Sequence, residues 1–465
     1  MKQRLSAFRL GDVRGLFPGA VDEAFAYAFA HALVHRFNLA GTIAVGRDMR
    51  DSSPALHNSL VEGLLVSGVN VIDLGLCATE LGYFASTLNG VEAAIVVTAS
   101  HNPPDYNGFK VVLKNGKALT YDDGLFEVMQ LMLAGHTNGR LHGTMVQRNI
   151  HADYMQFLQK RFDTVNLSSG LIALNGLNGT AATLAGDISQ AFALPVQWFR
   201  QEPGPIPIEG ADPSHIRLLA EMKSFMQSAP FALGVAWDGD CDRCVFFDGD
   251  GNLAPTYYII GLLTEHHLKA RTGSAVVFDT KLCWNTLDII RRYDGRPVRS
   301  ETGHAFMKGH MRNSQAVYGG ELSSHHYFGD FFGCDSGMLA WLKIIEILNL
   351  ANSSLGERMQ ASKAHICCTP EISLKLNDAD AAFERIMARY GSQAQRVDAF
   401  DGPSFEMPGD WRFTLRRSKT EPLVRLNLEA RGNQDRLLNE GGDLLQELMP
   451  YQADDTRWLD SLYIQ

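Results

Sequence analysis

The 465-residue chain has no continuous apolar stretch of the length a membrane span requires, and its start, "MKQRLSAFRLGDVRG", has no apolar leader core. A cytoplasmic protein without a membrane partner is the expectation. Positive charge is also scarce: 42 Lys and Arg against 52 Asp and Glu give a net charge of −10, which argues against general affinity for nucleic acid. Cysteines number only seven, an odd count with Cys367 and Cys368 adjacent, so reduced thiols are expected in place of a disulfide scaffold. The lone CxxC at Cys241 to Cys244 has no second pair at zinc spacing, and it reads as small positions in a buried strand. No low-complexity segment is present.

The length exceeds what one core fills, so several domains are expected. Three apolar runs end abruptly in polar loops: "AAIVV" (93–97) opens into "TASHNPP", "ALGVAW" (232–237) into "DGDCDR", and "AVYGG" (316–320) into "ELSSHH". Amphipathic stretches such as 57–68 and 258–269 flank them, which is the pattern of α/β layers with functional loops at the carboxyl ends of strands. From Pro370 onward the texture changes: 411–430 reads as two strands around a basic loop and 432–449 as an amphipathic helix. The expectation is three related α/β mixed-sheet domains, at 1–143, 144–248 and 249–366, and a C-terminal α+β domain at 367–465, all around one cleft. A monomer or small homo-oligomer is expected.

"DGDCDR" sets Asp238, Asp240 and Asp242 at alternate positions, so one turning loop can aim three carboxylates at a hard cation. An EF-hand begins this way but needs Gly at 243 and Glu at 249, where this chain has Arg243 and Gly249. An acidic solvated turn is the bland alternative; three carboxylates directly after an apolar strand repel one another unless a cation or Arg243 neutralises them. Three protein oxygens leave Mg²⁺ short of its six ligands, which implies an incoming oxygen such as a phosphoryl group.

"LRRSKTEPLVR" gathers Arg416, Arg417, Lys419 and Arg425 with the hydroxyls of Ser418 and Thr420, a donor set suited to a phosphate dianion. In "VTASHNPPDYNGFK", Pro103 and Pro104 stiffen the loop that carries Ser100. Ser100 reads as a turn residue, as a nucleophile activated by His101, or as a carrier of covalent phosphate; a metal loop and a phosphate clamp elsewhere favour the carrier. His101 and Lys110 are then candidates for proton transfer or charge stabilisation. "GGELSSHHYF" offers Glu321 and Ser323 for sugar hydroxyls, and of the adjacent His325 and His326 one should face inward while the other is structural. "TGHAFMK" adds His304 and Lys308.

Four of these motifs, "TASHNP", "DGDCDR", "GELSSHHYF" and "RRSKTEP", stand in an order that resembles the α-D-phosphohexomutase family, and in particular its bacterial phosphomannomutase/phosphoglucomutase group. The resemblance spans nearly the whole chain. It implies phosphoryl transfer between Ser100 and a hexose phosphate, through a hexose 1,6-bisphosphate that also serves as activator. Mannose 6-phosphate and mannose 1-phosphate are the substrates it favours, with glucose phosphates beside them. It further implies Mg²⁺ on Asp238, Asp240 and Asp242 with Ser100 as a further ligand, and a cleft lined by Arg14, His101, Lys110, Arg243, Lys281 and His304, with Lys110 as general base. Glu321, Ser323 and His325 would meet the sugar, and Arg416, Ser418, Lys419, Thr420 and Arg425 the distal phosphate.

The chain departs from the family pattern at Lys419, where Asn is usual, and at Gly11, where "YDIRG" has Tyr. The stretch "QEPGPIPIEGADP" (201–213) follows the family only in part. Phosphoglucosamine mutase, a phosphoserine-dependent hydrolase and an inactive sugar-phosphate sensor are the competing expectations.

Overall fold

The computed structural model describes residues 2–135, 142–163, 167, 170–418, 422–454 and 458. Four sheets follow one another along the chain, and the first three share a plan. In the first, Thr42–Arg47 runs parallel to both Asn70–Leu76 and Val91–Val97, and Val91–Val97 pairs antiparallel with Tyr106–Leu113. In the second, Leu233–Trp237 is parallel to Ile172–Asn175 and antiparallel to Cys244–Phe247. In the third, Ala275–Asp279 is parallel to Tyr318–Gly320, which pairs antiparallel with His326–Phe328. Each anticipated loop therefore joins an antiparallel pair at the carboxyl end of a buried strand. The fourth sheet repeats the device, with Trp411–Arg417 antiparallel to Val424–Arg431.

Local sequence explains the elements. Val91–Val97 is β-branched and alanine-rich and buried along almost its whole length, as a central strand covered on both faces must be. Helix Glu23–Phe37 starts at Asp22, whose side chain accepts from the Phe25 amide, and stops at Asn38 in the left-handed conformation. Helix Gly337–Ala351, capped by Ser336, is mostly apolar and buried as far as Ile347, and its Trp341 meets Trp237 edge-on with ring centroids 5.4 Å apart.

The expected domain limits need correction at all three joints. Met145–Gln147 pairs with Asn70–Leu76, so the first sheet runs past 143. Residues 248–252 form a hairpin turn that pairs Phe246 with Ala254, so the second sheet ends at Ala254 and not at 248. Ile366–Cys368 pairs with Val424–Arg431 and opens the fourth sheet. A Gly- and Asp-rich stretch looks the same in a linker and in a hairpin, and only the partner strand separates the two.

One apolar core contains side chains from all of the first three units, from Ala44 through Trp237 to Trp341, and takes in Ile366 and Cys368, while the rest of the fourth sheet packs on a second core. A buried carboxylate ties the first three units together. Glu80 accepts from Tyr154 Oη (2.7 Å), Ser336 Oγ (2.7 Å) and the Met338 amide (3.3 Å), the last two at the start of helix Gly337–Ala351. Burial pushes its pKa up to about 7 against the pull of those three donors. Among the described residues no helix is long and apolar enough to cross a membrane.

Candidate active site

The loop after Val91–Val97 and the loop after Leu233–Trp237 meet at Ser100. Ser100 is buried, has a left-handed backbone (φ 52°), donates from Oγ to Asp238 Oδ2 at 2.7 Å, and lies 3.2 Å from His101 Nδ1. A non-glycine residue held at positive φ marks a position the surroundings dictate. The two loops touch backbone to backbone: a Cβ on Gly239 would stand 2.7 Å from the Ser100 carbonyl oxygen, so the glycine between the first two aspartates is what permits the approach.

All three aspartates are buried, and their carboxylate oxygens come within 4.8 Å of one another. Lys110 Nζ bridges the Oδ2 atoms of Asp240 (2.6 Å) and Asp242, and Thr79 Oγ1 also donates to Asp240 Oδ2 at 2.6 Å. The Oδ1 atoms of Asp240 and Asp242 are buried with no hydrogen-bond partner among the described residues. These two oxygens, of which Asp242 Oδ1 has the His325 imidazole 3.5 Å away, lie beside a third carboxylate and a serine hydroxyl, a set that fits a hard divalent cation such as Mg²⁺.

Burial and the neighbouring Asp242 and Asp240 raise Asp238 well above the usual carboxylate range. Burial works the same way on Asp242, but Lys110 and His325 outweigh it and hold that carboxyl well below the range. Lys110 pays a desolvation cost, yet Asp240, Asp242 and Asp238 keep its pKa above the ordinary lysine value. Held between two carboxylates, Lys110 favours its ammonium form in this geometry and offsets their charge.

The sugar loop joins this cluster directly. Arg243 and His325 form a backbone bridge, and the Cys244 amide donates to the Ser324 carbonyl at 3.2 Å. Arg243 Nε lies 3.4 Å from His325 Nε2 and 3.8 Å from Asp238 Oδ2. Ser323 Oγ and His325 Nδ1 share a hydrogen bond of 2.9 Å. His326 points the other way, as expected, and bonds Tyr318 Oη at 2.7 Å inside the third unit. Glu321 is buried and accepts from the Gly303 amide (2.8 Å) and Tyr327 Oη (3.1 Å), each bond leaving its oxygen a further lone pair for a ligand hydroxyl.

Arg14 reaches the same cleft from the first sheet, donating to Asn102 Oδ1 (2.7 Å) and Asp12 Oδ2 (2.5 Å). His304 stands over Gly11: a Cβ there would be 2.8 Å from its Cε1 and 2.9 Å from its Nε2. The space beside the missing tyrosine is thus filled by an imidazole from the third unit. Burial, reinforced by Lys308, lowers the His304 pKa to about 3, so the ring is neutral. Burial and the charges of Arg243 and Arg14 likewise keep His101 neutral.

The fourth unit supplies a second, cationic group. Arg416 and Arg425 are directly opposite across the strand pair, a like-charge arrangement that an anion relieves. Arg416 Nε is buried without a hydrogen bond among the described residues. Arg425 pairs with Glu371 at 3.6 Å, and Lys281 lies 3.6 Å from Asp279 and 3.9 Å from Glu371. Ser418 closes the hairpin through its amide, which donates to the Leu423 carbonyl at 2.8 Å. Arg417 turns outward to Asp380. Lys419 and Thr420 lie outside the described residues.

Family models for phosphoglucomutase/phosphomannomutase α/β/α domain I and domain III match residues 5–134 and 255–365, and the second match begins where the second sheet ends. A phosphomannomutase of Escherichia coli is 39% identical over 440 residues, 92% of this chain and 96% of that protein. The chain belongs to the α-D-phosphohexomutase family. A phosphohexose mutase of Xanthomonas campestris is 38% identical over 92% of this phosphohexomutase and 96% of its own length. A solved phosphoglucomutase/phosphomannomutase family protein of Burkholderia thailandensis superposes with a TM-score of 0.85 at 27% identity, covering 96% of this chain and 97% of that one.

Sequence reasoning missed Asp12, Thr79, Asn102 and Asp335, which pair with Arg14, Asp240, Arg14 and Lys308 respectively. It also missed a fourth strand-to-loop unit in the first domain, "TIAVGR" opening into "DMRDSS" (42–53), although the signature is the one that marked the other three.

Proposed function

We propose that this phosphohexomutase interconverts mannose 6-phosphate and mannose 1-phosphate, with glucose phosphates as further substrates, through a phosphoserine at Ser100 and a hexose 1,6-bisphosphate. The observation that carries the reading is Ser100 Oγ held at 2.7 Å from one of three clustered aspartates, two of which keep a buried Oδ1 without a hydrogen bond among the described residues. Asp238, Asp240 and Asp242 would hold Mg²⁺, which when bound offsets charge on the transferring phosphoryl group. The Lys110 ammonium and the Arg243 guanidinium flank the same point and supply fixed positive charge.

The neutral His101 ring, 3.2 Å from Ser100 Oγ, is suited to orient that oxygen by a hydrogen bond. The neutral His304 ring is suited to accept a hydrogen bond from the attacking sugar hydroxyl, with Lys110 as the general base of the transfer. Glu321 and Ser323 would hold the sugar hydroxyls, and Lys281, Arg416, Ser418 and Arg425 the phosphate that is not being transferred. Because the two phosphates of the bisphosphate exchange sites, one sugar loop between two anion sites suffices for both directions.

Phosphorus NMR with Mg²⁺, a trace of hexose 1,6-bisphosphate and mannose, glucose or glucosamine 1-phosphate tests the reading. A 6-phosphate signal from the mannose ester, absent with Ser100→Ala, is the expected result. Inorganic phosphate alone would replace the mutase by a hydrolase. No change with any sugar would refute turnover altogether.

A further inference from the structure

Ser100 sits in the loop 98–105, outside the sheet ladder, where backbone amides reach the carbonyls of Ala99, Pro103 and Asp105 but not those of Ser100 and Asn102. A single side chain reaches both of these and two of their neighbours. Arg50, buried in the turn between strand Thr42–Arg47 and helix Ser53–Val66, donates from Nη2 to the carbonyls of Ser100 (2.7 Å) and Asn102 (2.7 Å), and from Nη1 to those of Pro103 (2.6 Å) and Tyr106 (3.0 Å). Its Nε donates to Asp48 Oδ2 at 3.1 Å. All five N–H groups of the guanidinium are used.

The clamp is itself braced. Asp48 is fully buried; its amide donates to the Val97 carbonyl (2.9 Å), and its Oδ1 accepts from the Arg50 amide (3.1 Å) and Ser53 Oγ (2.5 Å). Asn107, just past the loop, donates to Ser52 Oγ (2.8 Å) and Ser53 Oγ (2.9 Å). A planar fork held at its base fixes four carbonyl positions at once, which a lysine with one rotatable ammonium cannot reproduce.

We propose that Arg50 is the positioning residue of the nucleophile: its guanidinium fixes the left-handed backbone of Ser100 and so aims Oγ at Asp238. This rests on Ser100 being the group that carries phosphate. Substrate-holding groups stand on other loops, so Arg50 governs the rate of phosphoryl transfer and not the affinity for the sugar phosphate. Displacement of a reacting atom by about 1 Å costs on the order of 100-fold in rate.

The test uses the full chain with Arg50→Lys, assayed well below its unfolding temperature. The expected result is a kcat about 100-fold lower with KM changed less than about threefold, and slower phosphorylation of Ser100 by hexose 1,6-bisphosphate followed by mass spectrometry. Amide hydrogen exchange should quicken in the peptide covering 98–108 and stay unchanged in the one covering 238–247. If Arg50→Lys does not fold, Asp48→Asn, which loosens the base of the fork, should show the same split. A normal kcat in folded Arg50→Lys, or equal exchange in both peptides of wild type and variant, overturns the proposal. Should wild type fail to turn over any hexose phosphate, the mutase reading falls, and the exchange comparison still decides whether Arg50 orders the loop.

Discussion

Replacing Glu80 by Gln should change how the stability of this phosphohexomutase responds to pH. The carboxyl is fully buried where three units meet, and burial raises its pKa from an ordinary 4.5 to about 7. The unfolded chain releases this proton near 4.5 and the folded chain near 7. Between the two values the unfolded state binds fewer protons, so the contribution of Glu80 is fully present below about 4.5 and is lost as pH rises through about 7. At about 1.4 kcal/mol per pH unit, the interval corresponds to roughly 3 kcal/mol. Gln keeps the shape and cannot ionise. Urea unfolding of both proteins at pH 5, 6, 7 and 8 should therefore show wild type losing about 2.5 kcal/mol relative to Glu80→Gln across that range, the rest being lost already below pH 5. A difference that stays flat with pH would mean that Glu80 is ionised throughout, with Tyr154, Ser336 and Met338 outweighing its desolvation.

Two further outcomes follow from the site. Gly11→Ala places a methyl 2.8 Å from His304 and 3.0 Å from the Ala305 Cβ, so it should cost about 1–3 kcal/mol in the wild-type background and clearly less beside His304→Ala; equal costs in both backgrounds would show that the histidine contact does not matter. Lys110→Met leaves Asp240 and Asp242 buried without their counter-ion, which should destabilise the metal-free protein by about 3–5 kcal/mol, and added Mg²⁺ should recover more stability than it adds to wild type. Thermal unfolding with and without Mg²⁺ checks this, and an identical metal response in the two proteins would contradict it.

Much of the architecture could be read before any coordinates. "AAIVV", "ALGVAW" and "AVYGG" are each too apolar for anything but a covered strand, and each gives way to polar residues within one step, so strand ends and loop identities follow from composition alone. The domain joints could not be read this way, because "DGDGN" has the same residues whether it links domains or turns a hairpin. The chemical inventory was equally legible: alternate aspartates, a rigid serine loop and a basic hairpin are recognised from residue type and spacing. Arg50 and Glu80 were not legible, since a lone arginine in a turn and a lone glutamate in a short helix have no local pattern. The carbonyls that Arg50 holds lie 50–56 residues away, and the partners of Glu80 as many as 258.

The protonation states were decided by the same long-range packing. By itself the sequence determined which groups are present and which loop each one rides on, because hydrophobic alternation and turn residues act over a few positions. Tertiary structure alone decided that Lys110 is locked between two carboxylates, that His101 and His304 are neutral, and that His304 stands in the space over Gly11. Desolvation and Coulomb interaction depend on distance in space, and the chain brings residues 11 and 304, or 110 and 242, together only once its core has formed.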